Sequence, residues 1–160
     1  MEHINSSMKV HKEALSAIGL KWEGTFEEAG AGGIRVVQTE FKRRLHEITD
    51  LLHPQELLGL SYHMTDTGFI HYVAVQVNES GAQVIPKDME RIDIPSQDYA
   101  CCRHVKGQAV ESSYNGIYNW IEEQGLKVSG GPLTHYEVYP MDQDPYEPEP
   151  EFTIFIPLNQ

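Results

Sequence analysis

The chain predicts an α+β fold built from two similar halves, and three observations support it. Two stretches place apolar residues at steps of three and four, the period of a helix lying on a core. They are Ile34, Val37, Phe41, Leu45, Ile48 and Leu52, then Val110, Tyr114, Ile117 and Ile121. Each stretch is entered through glycine and flanked by runs rich in β-branched and aromatic residues, the composition of strands. The order strand, helix, strand, strand occurs twice, at about residues 8–80 and 89–158 of one 160-residue domain. Neither unit can bury a sheet alone. They would therefore join their sheets with both helices on one face. The opposite face would be concave, with a ligand cleft near the seam of the halves, a common place for a small molecule.

Met8 to Lys21 reads as one extended segment, with Gly19 as a bend. Trp22-Glu23-Gly24-Thr25 leads into a glycine-rich loop through Gly30, Gly32 and Gly33. The first helix follows, with Lys42, Arg43, Arg44 and Glu47 on its wet side and His53-Pro54 ending it; its start carries no strong N-cap. Leu57–Met64 and Phe69–Val77 form a hairpin around Thr65-Asp66-Thr67-Gly68. Asn78 to Gly81 is a turn, and Met89–Ile94 is a short strand stopped by Pro95. In the second half, Gln97–Lys106 is a strand, Gly107-Gln108 opens the second helix and Gly125 stops it. Leu133–Tyr139 is a strand. Asp142–Pro150 is acidic and proline-rich, hence a loop. Phe152–Leu158 is apolar on both faces, as a central strand is.

Composition excludes several functions. A net charge of -12 opposes direct nucleic-acid binding, which needs a basic stripe; the densest cationic cluster is only Lys42-Arg43-Arg44. An acidic field favours cationic ligands, although charge also serves solubility alone. No stretch has the length of a membrane span, and Met1 to Ser7 is polar, unlike a signal peptide. The only cysteines, Cys101 and Cys102, are adjacent and fit reduced thiols in a cytosolic protein.

The candidate site centres on His135-Tyr136-Glu137-Val138-Tyr139. Strand alternation puts His135, Glu137 and Tyr139 on one face, and Tyr136 and Val138 on the other. A carboxylate amid aromatics either points into water or into an aromatic hollow that awaits a positive charge. Tyr139, on the same face, is a candidate hydrogen-bond donor to it. Trp22, Tyr62, Tyr114 and Phe152 are candidate walls, each with core packing as the alternative; Trp120 reads as core. His63, His71 and His135 would gather if their strands were neighbours, but no His-Glu-x-x-His spacing occurs, so no metal and no cofactor is implied. Neither cysteine has a motif of a nucleophile. His46 and His53 read as helix-surface residues, and Gly30-Ala31-Gly32-Gly33 lacks the Lys-Ser/Thr ending of a phosphate loop.

The ordered set Trp22-Glu23-Gly24-Thr25-Phe26, Ile94-Pro95, Asp98-Tyr99-Ala100, Trp120, Gly125, Tyr136-Glu137-Val138-Tyr139 and Ile154-Phe155-Ile156-Pro157-Leu158 resembles the gyrase-inhibitor-like family. This is also the effector-binding domain of bacterial transcription activators. The resemblance runs from about Val10 to Leu158. It implies an antiparallel α+β sheet of two pseudo-symmetric halves and a cleft for lipophilic, often cationic, aromatic compounds. It also implies that Glu137, in the Tyr-Glu-x-Tyr strand, meets the positive charge of the ligand. Unlike the regulators, the chain shows no helix-turn-helix ahead of the domain, so a separate protein partner would supply any transcriptional output.

Three functions remain open at this stage. The first is a sequestering or sensing module for a small lipophilic cation. The second is a hydrolase that opens strained cyclopropyl rings of DNA-alkylating natural products, as the resemblance implies for some members, with Glu137 as general base. The third is a gyrase-inhibitor-like interaction module in which the acidic loop Asp142–Glu151 touches a basic partner.

Overall fold

The computed structural model describes residues 6–78 and 84–159. Its elements run β1 (Met8–Lys12), β2 (Leu15–Thr25), α1 (Phe26–Gly30), α2 (Gly33–Arg43), β3 (Glu56–Tyr62), β4 (Gly68–Val77), β5 (Met89–Ile94), β6 (Gln97–His104), α3 (Val110–Glu123), β7 (Leu133–Pro140) and β8 (Phe152–Pro157). The strands form one antiparallel sheet of order β1-β6-β8-β7-β3-β4-β2-β5. Exchanging β1 with β5, β2 with β6, β3 with β7 and β4 with β8 returns the same order read backwards. The fold is therefore α+β with two pseudo-symmetric halves, and the seam lies between β3 and β7.

The extended segment expected over Met8–Lys21 is two strands, because its parts pair at opposite ends of the sheet. β1 adds to β6, while β2 lies between β4 and β5. Gly19 is no bend. It stays in register within β2, where a Cβ would stand 2.3 Å from the Val73 carbonyl oxygen, so only glycine lets the backbones approach.

The glycine-rich loop contains α1, and Thr25 is its cap. The Thr25 Oγ1 accepts from the Glu28 N–H at 3.0 Å, and Glu28 Oε1 accepts from the Thr25 N–H at 2.8 Å. This is a capping box. Gly32, at φ 102°, then turns the chain into α2.

The first long helix ends at Arg43, well short of His53. A single 3₁₀ turn, Leu45–Glu47, follows, and Ile48 is extended. The apolar period outlasts the helix because Phe41, Leu45 and Ile48 all face the same cluster. Leu52, the last member of the stripe, is exposed. Most of the turn expected over residues 78–81 lies outside the described residues.

The helix-bearing face holds two apolar clusters. One, under α2, includes Ile18, Phe41, Val73 and Val75; the other, under α3, includes Ile117, Ile121, Ile154 and Ile156. The opposite face is filled by a third, with Leu58, Leu60, Tyr99, Tyr136 and Ile94. Chain connectivity explains that filling. Only residues 13–14 join β1 to β2, and only residues 95–96 join β5 to β6, although each pair belongs to opposite ends of the sheet. Three Cα steps reach at most about 11 Å. The sheet must curl until its ends approach, and its inner face packs on itself. Lys12 closes that interior, its Nζ 4.8 Å from the Phe155 ring centre and 5.4 Å from that of Tyr136.

Candidate functional site

The seam strand β7 sends Tyr136 inward, where it is 2% exposed, and turns His135, Glu137 and Tyr139 toward the helices. The carboxylate therefore lies on the helix-bearing face, not on the opposite one where the sequence places the cleft. Parity along the strand is legible from alternation. Which face carries the helices depends on the curl of the sheet, which occupies the other face with its own side chains.

Two hydroxyls hold Glu137. Tyr139 donates to its Oε1 at 2.8 Å, and Tyr114, from α3, donates to its Oε2. One turn further along α3, the Tyr118 hydroxyl meets His135 Nε2 at 2.7 Å, and the Tyr114 ring lies 4.7 Å from that of His135. The spacing follows from geometry. Four helical residues rise about 6 Å and two strand residues about 6.7 Å, so Tyr114 and Tyr118 match Glu137 and His135.

Burial pushes the Glu137 carboxyl above its usual range, and the two tyrosine hydrogen bonds only partly oppose that shift. Burial and the adjacent carboxylate raise the Tyr114 and Tyr139 phenols well above theirs. Desolvation lowers His135 to about 4, so the ring is neutral at pH 7. Among the described residues, no lysine or arginine forms an ion pair with Glu137.

Beside the carboxylate is a cavity of about 190 Å³ between α2, the end of β7 and the acidic loop. Glu137, Tyr139, Phe152, Ile34 and Leu57 supply much of its wall. Phe152 stacks on Tyr139, ring centres 4.6 Å apart. The loop is strapped to α2: Lys42 Nζ donates to the Gln143 carbonyl, and the Arg35 guanidinium lies 6.0 Å from the centre of the Tyr146 ring. Asp144 and Glu147 of this loop also face the cavity.

The structure thus brings Glu137, Tyr139, Tyr114 and Phe152 together. It does not bring Tyr62, which lies on the inner face, edge-on to Tyr72 at 5.7 Å. Trp22 is also elsewhere, packed on Phe69 at 5.3 Å and close under Gly33 at the α1–α2 junction. Trp120 packs in the α3 cluster. Ser61 pairs with His71 on one side and His135 on the other, while His63 sits apart at the hairpin turn with φ 53°. Among the described residues no cluster of metal ligands forms. Sequence reasoning missed Tyr118, although its spacing of four from Tyr114 was available. It named His71 only as part of a possible histidine cluster and missed Gly59, which cross-strand register sets opposite Glu137.

Comparison with known proteins gives the same architecture. The family described as GyrI-like small molecule binding domain matches residues 6–159. The C-terminal domain of EcmrR superposes with a TM-score of 0.70 at 12% identity, over 99% of both chains. SAV2435 bound to tetraphenylphosphonium gives 0.66 at 16%, covering 96% of this chain and 94% of that one. A hydrolase from Listeria innocua gives 0.60 at 13%, covering 96% and 91%. At such identities the likeness is one of fold. No curated protein matches the chain. The family match spans nearly every residue, and the chain belongs to the GyrI-like small molecule binding domains.

Proposed function

We propose that the chain binds a lipophilic organic cation at Glu137, as a sequestering protein or as a sensor module. The observation that carries this reading is a desolvated carboxylate, fixed by two hydroxyl donors and without an ion-pair partner among the described residues, at the wall of a cavity that Tyr139 and Phe152 also line. A bound cation would supply the missing charge. A charge-assisted contact contributes about 1.5–3 kcal/mol, and each ring face about 0.5–2 kcal/mol. Neither demands one ligand shape. The complex of SAV2435 with tetraphenylphosphonium agrees with this class of ligand. Drug-sized ligands occupy about 300–1,000 Å³, more than the 190 Å³ present. Admission therefore requires the acidic loop to swing away from α2, breaking the Lys42 and Arg35 contacts.

Calorimetry with tetraphenylphosphonium and neutral triphenylphosphine oxide tests the proposal. Glu137→Gln should weaken the cation by about 10- to 150-fold, the charge-assisted range above, and the neutral compound much less. Equal losses would mean that the substitution had disturbed packing instead.

The second reading is hydrolysis of a strained cyclopropyl electrophile, favoured by the raised carboxyl of Glu137, which suits a general base. Mass spectrometry of such a compound after incubation separates the two readings: a hydrated product formed over many turnovers supports the enzyme, unchanged compound the binder. The acidic loop, reserved in the third reading for a basic partner, faces the cavity with Asp144 and Glu147, a position that supports a role at the ligand site.

A further inference from the structure

Four cations lie on α2 and its C-cap, and the two outside the Glu137 cavity are already matched. Arg43 pairs with Glu40 at 2.6 Å and Arg44 with Glu47 at 2.8 Å. Arg35 and Lys42 line the cavity instead. Neither has a carboxylate within ion-pair distance among the described residues. Steps of three and four put Arg35, Gln38 and Lys42 on one face of the helix, and all three line the cavity. The cavity thus has a negative wall on β7 and a positive edge on α2.

The acidic loop shows what that edge takes. Lys42 Nζ donates to the Gln143 carbonyl, and the Arg35 guanidinium lies 6.0 Å from the Tyr146 ring centre. Burial lowers the Lys42 ammonium, and the charges of Asp144 and Asp142 oppose that shift. The cavity-facing loop carboxylates bond to the loop itself. Asp144 Oδ1 accepts from the Tyr146 N–H at 2.9 Å, and Glu147 Oε2 from the Glu149 N–H at 3.3 Å. The loop therefore gives α2 a carbonyl, a ring face and a negative charge without direct contact. Entry of a drug-sized ligand breaks these interactions, and both cations lose what the loop supplied.

We propose that the α2 edge is an oxyanion subsite, so that the preferred ligand is a lipophilic zwitterion: its cation meets Glu137, and its carboxylate, or an equivalent anionic oxygen group, meets Arg35 and Lys42. The proposal rests on the Glu137 pocket reading and names the ligand class of that pocket. It makes Arg35 and Lys42 specificity determinants. A bare cation displaces the loop and returns nothing to α2. A zwitterion replaces the lost contacts with charge-assisted hydrogen bonds. The net charge of -12 opposes an anion at a distance, so any gain from the carboxylate must come from contact with α2.

The test pairs alkyltriphenylphosphonium ions of graded arm length with counterparts whose terminal methyl is replaced by a carboxylate. Calorimetry on the intact chain at neutral pH should show at least one carboxylate bound about tenfold tighter than its methyl counterpart, the lower end of a charge-assisted contact. Arg35→Gln and Lys42→Gln should each cut that ratio, and the double variant should bring it to unity or below. The ratio is the readout because loss of the Lys42 strap eases loop opening for both members of a pair alike. Carboxylates that bind no tighter than their methyl counterparts at any arm length would overturn the subsite and leave the cation pocket standing. A ratio that survives the double variant would do the same. If no member of either series binds, the pocket reading fails and the subsite with it.

Discussion

A desolvated carboxylate at position 137 should act in opposite directions on the fold and on the proposed binding of a cation. Its pKa is raised on folding, so the charged form disfavours the fold. This contribution to stability is fully favourable below the unfolded value near ~4.3 and is lost as pH rises through the folded value. Glu137→Gln should therefore stabilise the unliganded protein at pH 7 by about 1 kcal/mol, or ~2–4 °C in the melting temperature for a chain of this size. Scanning calorimetry would check it; a lower melting temperature would mean that the two tyrosine hydrogen bonds outweigh the desolvation. Cation affinity should run the other way with pH. It should fall as acidification protonates Glu137, beginning above the range of an ordinary carboxylate. Tyr114 and Tyr139 both lower that pKa through their hydrogen bonds. Tyr114→Phe should accordingly move the loss of tetraphenylphosphonium affinity to higher pH, measured as the midpoint of a binding-versus-pH curve. An unmoved midpoint would show that the α3 hydroxyl does not tune the carboxyl.

Individual elements carry their own requirements. β2 runs between two neighbours with no room for a methyl group at Gly19, because the obstacle is the Val73 backbone. Gly19→Ala should cost about 3 kcal/mol or more, the upper end of overpacking, read as a shift in urea midpoint. The α1 cap is a smaller device: Thr25→Ala should cost about 1 kcal/mol by the same measurement. Helix α3 was legible from its stripe, its Gly125 stop and its length. α2 was legible as a helix but not in its end, since a 3₁₀ turn and an extended residue bury the same side that a longer helix would. Thr25-x-x-Glu28 carried the signal for α1, obscured by the glycines around it.

On the scale of the molecule, the net charge of -12 acts at a distance. It should draw cations toward the pocket before any contact forms. Stopped-flow association of tetraphenylphosphonium should slow several-fold between about 20 and 500 mM salt, as screening shortens the Debye length, while triphenylphosphine oxide should be indifferent. The same slope for both compounds would exclude steering.

Local sequence sufficed for the two-half α+β order and the parity of Glu137 and Tyr139, because helix and strand periods are set over a few residues. Tertiary structure alone decided which face holds the site. Two short links tie opposite ends of one sheet together and fill its inner face. The carboxylate is left among the helices, Tyr62 is carried away from it, and His71 and Gly59 are brought beside it from neighbouring strands. Those placements depend on pairings between residues far apart in the chain, and no local pattern encodes them.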